Sequence, residues 1–484
     1  MSQAPAPRWA RSAWPILGCA ILAVLVRVPL MGSPMLPDEG GFLILASQWH
    51  PGTSLYGNYW VDRPPLLIAI YQVAVAMGGT LRDLRLLGLA VSFVATLAAG
   101  ALGAVVSGRR AALLAAATAA VLVSAPILET WEVNGEILAL PWVLLSLAAL
   151  FAGVRAEGRW RRFGYAVLAG LLGTLAPLIK QSFPDALLAI LVAAVALSVH
   201  GQWRKAVTLF GGATLGGLLT LTSVLAYADS LGTHLPALWD AVFTFRSQAA
   251  GVIAASASSA TTTRFWQLVL AGLGSGILVP LVLWLMTVRR SETRDPILWP
   301  VIAALAVWEV FAIGAGGSYW VHYLIGLVPA AVLASIAVAA QSSWPRLVTW
   351  LTLASALVAA IPVTSAVHHF EGGVDREQLA YLRAHVRPGD TAVYAFGKAD
   401  EMRQLGLSSP YQYLWNLPVR VRDPHLNELK ALLDSPHPPT WVMLTGDAFS
   451  GWGLDPEGIR PVLHHHYDQV ATFATMKIFR LRAG

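Results

Sequence analysis

The chain has 484 residues, of which 56% are hydrophobic and only 12% charged, and its mean hydropathy is +0.60. Soluble domains carry about a quarter of their residues charged, so this composition excludes a soluble globular protein. The net charge of +6 comes mostly from arginines in short stretches between apolar runs, a pattern of membrane-protein loops that gives nucleic-acid binding no support. The single cysteine, Cys19, lies inside the first apolar run and excludes an intrachain disulfide or a cysteine-based metal site.

A bilayer core of about 30 Å needs about 20 apolar residues in helical form. The first such run, 13 to 31, follows Arg8 and Arg11 and is too long for a signal peptide, which predicts a retained anchor with its N-terminus inside. Further runs cover 84 to 106, 111 to 128, 137 to 154, 163 to 179, 184 to 199, 206 to 228, 266 to 288, 297 to 315, 321 to 340 and 346 to 366, so about 11 transmembrane helices are expected. The stretch 64 to 79, PPLLIAIYQVAVAMGG, is shorter and opens on two prolines.

Charge decides whether 64 to 79 crosses. If it does not, Arg8, Arg11, Arg109, Arg110, Arg155, Arg159, Arg161, Arg162, Arg204, Lys205, Arg289, Arg290, Arg294 and Arg346 all fall inside, and only Arg63, Arg82, Arg85, Lys180, Arg246 and Arg264 fall outside. Letting it cross inverts every later loop and breaks the positive-inside bias. The stretch is therefore expected as an interfacial or re-entrant helix, and Asp38, Glu136, Lys180 and the segment Tyr319 to Tyr323 share the outer side. The outer loop 229 to 265 contains LPALWDAVFTFRSQ at helical spacing and predicts a second interfacial helix. After residue 370 charged residues return, and helical patterns alternate with strand-like runs (TAVYAFG, WVMLTG, MKIFRL). The expected organisation is a transmembrane region over residues 1 to 370 and a small extracytoplasmic α/β domain over 371 to 484.

Asp38 and Glu39 follow the first span, at a depth where a carboxylate is partly desolvated yet reaches water and a hydroxyl, which suits a general base; Asp38 as a helix cap is the plainer alternative. Asp62 and Arg63 precede Pro64 and Pro65, whose fixed backbone aims the arginine at the interface. Its fork suits a phosphate, and a snorkelling arginine paired with Asp62 is the alternative.

The Asp-Glu pair in the first outer loop, followed by the acidic-basic-Pro-Pro-Leu motif at Asp62 to Leu66, resembles polyprenyl-phosphate-dependent glycosyltransferases of the GT-C superfamily, and most of all the protein O-mannosyltransferases and the aminoarabinose transferases of lipid A. The resemblance covers about residues 13 to 366. The family motif usually has Lys where this chain has Arg63. A metal role for Asp62 stays open, and a divalent metal is possible.

Glu129, Glu132 and Glu136 are spaced to share one face if their loop is helical, where they would repel unless water, a cation or a function offsets this. With the resemblance, Glu132, Asn134 and Glu136 are expected to orient an acceptor. Lys180 ends the fifth span and would join Arg63 on the donor phosphate. His322 is expected to contact phosphate, with Tyr323 beside it; aromatic anchoring is the alternative for Tyr319, Trp320 and Tyr323. The run His464 to His466 has no supporting carboxylate spacing for a metal.

The resemblance implies inverting transfer of a hexosyl or pentosyl group from a polyprenyl-phosphate sugar to a glycan, lipid or protein acceptor, at the outer face of a bacterial cytoplasmic membrane. Asp38 would be the base and Glu39 would orient it. A transporter or flippase of lipid-linked sugars is the rival from another class, and a non-catalytic scaffold is a second.

Overall fold

The computed structural model describes residues 10–51, 58–255, 259–288, 295–340, 343–370, 374–445, 454 and 458–482. Arg8, Arg289, Arg290 and Arg294, which entered the charge argument, lie outside the described residues.

Runs of Ala, Leu and Val with few helix breakers make all eleven apolar runs helical. By length and composition, seven helices among the described residues can cross a membrane: Ala13–Gly32, Leu81–Ser107, Gly135–Arg155, Arg159–Ile179, Trp203–Ser230, Leu298–Gly316 and Val321–Ala339. The chain is a multi-pass membrane protein, and seven of its described helices, or eight with one bent pair, are long and apolar enough to cross, fewer than the expected eleven. The run 266 to 288 differs from expectation. It is a pair of helices, Ser259–Gly274 and Leu278–Val288, bent by 63°. The break follows from LGSGI: Gly276 takes a left-handed φ of 76° that few other residues adopt, which ends the helical ladder at Ser275.

The described chain divides into two units, each discontinuous in sequence. One comprises 1–32, 84–225 and 259–365. Its helices Gly135–Arg155 and Arg159–Ile179 form an antiparallel pair, and Ser146 on the first donates to the Ala169 carbonyl on the second at 2.7 Å. A hydrogen bond of this kind ties helices together where lipid supplies no hydrophobic drive.

The other unit comprises 33–83, 226–258 and 366–484. It gathers the two long outer loops of the sequence with the C-terminal segment. The stretch 64 to 79 forms the helix Pro65–Met77, started by a proline at its first position, where no amide hydrogen is needed, and stopped by Gly78 at φ 140°. The 235 to 255 stretch is helical throughout, with one π turn over Asp240–Thr244. Leu238, Val242, Phe245 and Ala249 face inward, while Leu235, Trp239 and Phe243 are exposed on the opposite stripe, the two-faced pattern expected for this loop.

The C-terminal α/β fold is present. Strands β1 (Ala392–Ala395), β2 (Trp441–Thr445), β3 (Tyr467–Thr472) and β4 (Met476–Leu481) form one sheet in the order β1-β2-β4-β3. The β1 and β2 pair is parallel and the others are antiparallel. Tyr411, Leu426, Leu429, Leu433 and Leu463 pack against Val393, Val442 and Phe479 of the sheet. β3 lies just after the histidine run, and its alternation is masked by exposed polar positions.

Candidate functional site

Two clusters hold the residues singled out by sequence, one in each unit.

In the transmembrane unit, the link from the 3-10 turn Pro126–Leu128 to the helix Gly135–Arg155 carries the three glutamates. They do not share a helical face, because the expected helix is absent: Glu129 sits in a left-handed turn at φ 55°, Glu132 in the link, and Glu136 in the first turn of the following helix. Asn134 caps that helix by accepting from the Ile137 amide at 3.0 Å, which is one of its roles; its Nδ2 donates to Glu132 Oε2 at 3.4 Å.

The carboxylates converge nonetheless, on His322. Trp320 leads into the 3-10 helix Val321–Leu327, which brings His322 Nδ1 to 3.0 Å from Glu129 Oε2 and 3.4 Å from Glu132 Oε2. Its Nε2 lies 3.7 Å from Glu136 Oε1. Trp320 is parallel to the imidazole at 6.3 Å and Tyr323 meets it edge-on at 5.2 Å. Glu129, Glu132 and His322 place one ligand atom each within 4.8 Å of one another, which makes them the metal-type cluster among the described residues.

Lys180, at the C-terminal end of the helix Arg159–Ile179, is ion-paired to Glu136 and stands 4.7 Å from the centre of the Tyr323 ring. Thus Glu132, Asn134, Glu136, Lys180, His322 and Tyr323 form one cluster. Tyr319 packs on Phe265 at 5.3 Å, and Arg264 lies over Trp320 at 4.8 Å, contacts that hold this segment within the unit.

In the other unit, Asp38 and Glu39 occupy the first turn of the helix Pro37–Gln48. Glu39 is fully buried, and its Oε2 accepts from the Leu36 amide at 3.0 Å. It is therefore the residue that caps this helix, the role considered for Asp38. Asp38 is half-buried and among the described residues makes no side-chain hydrogen bond or ion pair. Asp62 is held by two guanidinium groups, Arg63 at 2.5 Å and Arg246 at 3.1 Å. Burial pushes its carboxyl pKa up, but Arg246 and Arg63 outweigh this and hold it below the usual carboxylate range. Two cations already satisfy its oxygens, an arrangement that competes with the metal role left open for it. Arg63 also lies 5.9 Å from the Phe42 ring, one helical turn beyond Asp38.

Three residues escaped the sequence argument. Arg246 looked like an ordinary loop cation, and nothing in its spacing announces Asp62. Asp185 and Glu309 are buried carboxyl groups. A lone acid inside the apolar run 297 to 315 was the available signal for Glu309.

No family model and no curated protein matches the sequence. Solved structures do match. ArnT from Cupriavidus metallidurans bound to undecaprenyl phosphate aligns with a TM-score of 0.64 at 14% identity, over 98% of this chain and 99% of that one. Its apo form aligns at 0.65 and 15% identity, over 97% and 98%. The fold is GT-C. The archaeal oligosaccharyltransferase AglB from Archaeoglobus fulgidus, in complex with an inhibitory peptide and a dolichol-phosphate, shares this GT-C fold at a TM-score of 0.51 and 12% identity, over 96% of this chain and 74% of that one. The expected GT-C architecture with a small C-terminal sheet is thus met.

Proposed function

We propose that the chain is an inverting glycosyltransferase that moves a sugar from a polyprenyl-phosphate donor to an acceptor hydroxyl at the outer face of the cytoplasmic membrane. The observation that carries this reading is the end-to-end likeness to a transferase fold captured with undecaprenyl phosphate, together with a second GT-C structure holding a dolichol-phosphate. The acceptor is a glycan, a lipid or a protein.

Asp38 takes the proton of the acceptor hydroxyl as its oxygen bonds to the anomeric carbon. The bond from that carbon to the phosphate oxygen breaks in line, and the polyprenyl phosphate leaves with the electron pair. Asp38 is suited to this because its neighbour Glu39, rather than Asp38, caps the helix, leaving the Asp38 carboxylate half-buried and uncommitted. A positioned base contributes roughly 10²- to 10⁴-fold.

Arg63 and Lys180 neutralise the leaving phosphate, an electrostatic contribution that is usually large. Asp62 and Arg246 orient the Arg63 guanidinium from one side. His322 and Tyr323 flank Lys180, and Glu132, Asn134 and Glu136 orient the acceptor. In this reading residues 1 to 370 are the catalytic region and 371 to 484 the extracytoplasmic domain.

The test incubates the purified full chain with a panel of radiolabelled polyprenyl-phosphate sugars and membrane extract. Wild type consumes at least one donor, and Asp38→Asn loses about 100-fold or more of the rate while staying folded. If wild type leaves every donor intact, the transferase reading is wrong.

A further inference from the structure

We infer that Glu129, Glu132 and His322 form a binding site for one divalent transition-metal ion of the zinc or manganese class. The inference goes beyond glycosyl transfer and stands on the geometry of these three side chains.

Two donors each about 2.1 Å from an ion stand about 3.0 Å apart at a right angle and about 3.4 Å apart at the tetrahedral angle. The His322 Nδ1 separations from Glu129 Oε2 and Glu132 Oε2 are 3.0 and 3.4 Å. All three donor atoms lie within 4.8 Å of one another. Binding one ion in that geometry would draw the two glutamate oxygens to about 3.0–3.4 Å from each other. The donor set is two carboxylate oxygens and one imidazole nitrogen. Calcium and magnesium take oxygen ligands, whereas a mixed nitrogen and oxygen set fits zinc or manganese. A cation seated between these carboxylates also replaces their mutual repulsion with attraction.

The surroundings are those of a supported ligand. The ring nitrogen not facing the two carboxylates, Nε2, lies 3.7 Å from Glu136 Oε1, so a carboxylate stands on that side of the ring, beyond hydrogen-bond distance. Asn134 donates to Glu132, and Trp320 lies parallel to the imidazole. The Glu129 side chain is 32% exposed against 7% for Glu132, which gives an ion a way in and leaves open coordination positions on that side. Glu136 further ties the site to Lys180, so the ion would sit one carboxylate away from that ammonium.

The experiment uses the untagged full chain in detergent, with His464, His465 and His466 all changed to Gln so that this exposed run contributes nothing. Protein stripped with a chelator is equilibrated with Zn²⁺ or, separately, Mn²⁺, desalted, and its metal content measured by mass spectrometry; affinity follows from competition with a chromogenic chelator. The expected result is about one ion per chain, with affinity lowered about tenfold or more in Glu129→Gln and binding lost in His322→Gln. Binding at the wild-type level in both variants, or no bound metal in the parent chain, overturns the site. If His322→Gln fails to fold, the half-exposed Glu129→Gln decides alone. The readout is metal content, so it is independent of whether any sugar is transferred.

Discussion

Gly41 and Trp415 meet so closely that a β-carbon on the glycine would enter the indole ring. One residue earlier, a β-carbon on Gly40 would collide with the backbone of Asp400. The helix Pro37–Gln48 is thereby pressed against the short helix Ala399–Leu405 and the Trp415 segment. Phe42 completes the contact, 5.7 Å from the Trp415 ring and 5.4 Å from Tyr71.

Gly41→Ala tests which of two opposing effects wins. Alanine favours a helix interior by about 1 kcal/mol over glycine, but an extra carbon in a filled contact costs about 1–3 kcal/mol. Since the obstructing atoms belong to the rigid, half-buried Trp415 ring, the clash dominates, and the thermal midpoint in detergent falls. Asp38 lies on the same helix three residues away, so donor turnover falls with it. A midpoint that is unchanged or raised contradicts this packing.

How much of this was legible in the sequence depends on range. The apolar runs, the Pro65 start and the C-terminal strands are local patterns, and each was readable. The break at Gly276 was missed because the hydropathy around it stays high while one backbone angle ends the helix. The convergence of Glu129, Glu132 and Glu136 was expected for a reason the structure replaces: a turn and a distant histidine bring them together, not helical spacing. Arg246 could not be assigned to Asp62, because a partnership across 184 positions leaves no periodic trace.

Asp400 gives a stability prediction with a definite sign. Burial raises its carboxyl pKa to about 7, with Glu401 adding to the rise and Lys398 opposing it. In the unfolded chain it returns to the ordinary range near 4. Between about pH 4 and pH 7 the folded chain therefore binds the extra proton, and stability falls as pH rises through that window, by up to about 4 kcal/mol. Asn has nearly the same shape as Asp and removes the buried charge. Asp400→Asn should gain stability over wild type at pH 8 and lose that advantage near pH 5. Parallel pH responses of the two proteins in thermal unfolding would count against it.

Lys180 and Glu136 make the prediction that bears most directly on the donor. The ammonium is shared between the Glu136 carboxylate and the face of Tyr323, so any phosphate it receives competes with a fixed negative charge. Glu136→Gln keeps the shape and removes that charge. At the effective dielectric of a partly buried site, one unit charge a few ångströms away is worth a kcal/mol or more, so affinity for polyprenyl phosphate should rise about tenfold. Lys180→Met should lower it by a similar factor. Equilibrium binding of a short-chain polyprenyl phosphate to the detergent-solubilised variants measures both. If the two substitutions shift affinity in the same direction, Glu136 acts by positioning Lys180; if neither shifts it, the ion pair is a strut between the helices Gly135–Arg155 and Arg159–Ile179, and the phosphate role passes to Arg63 alone.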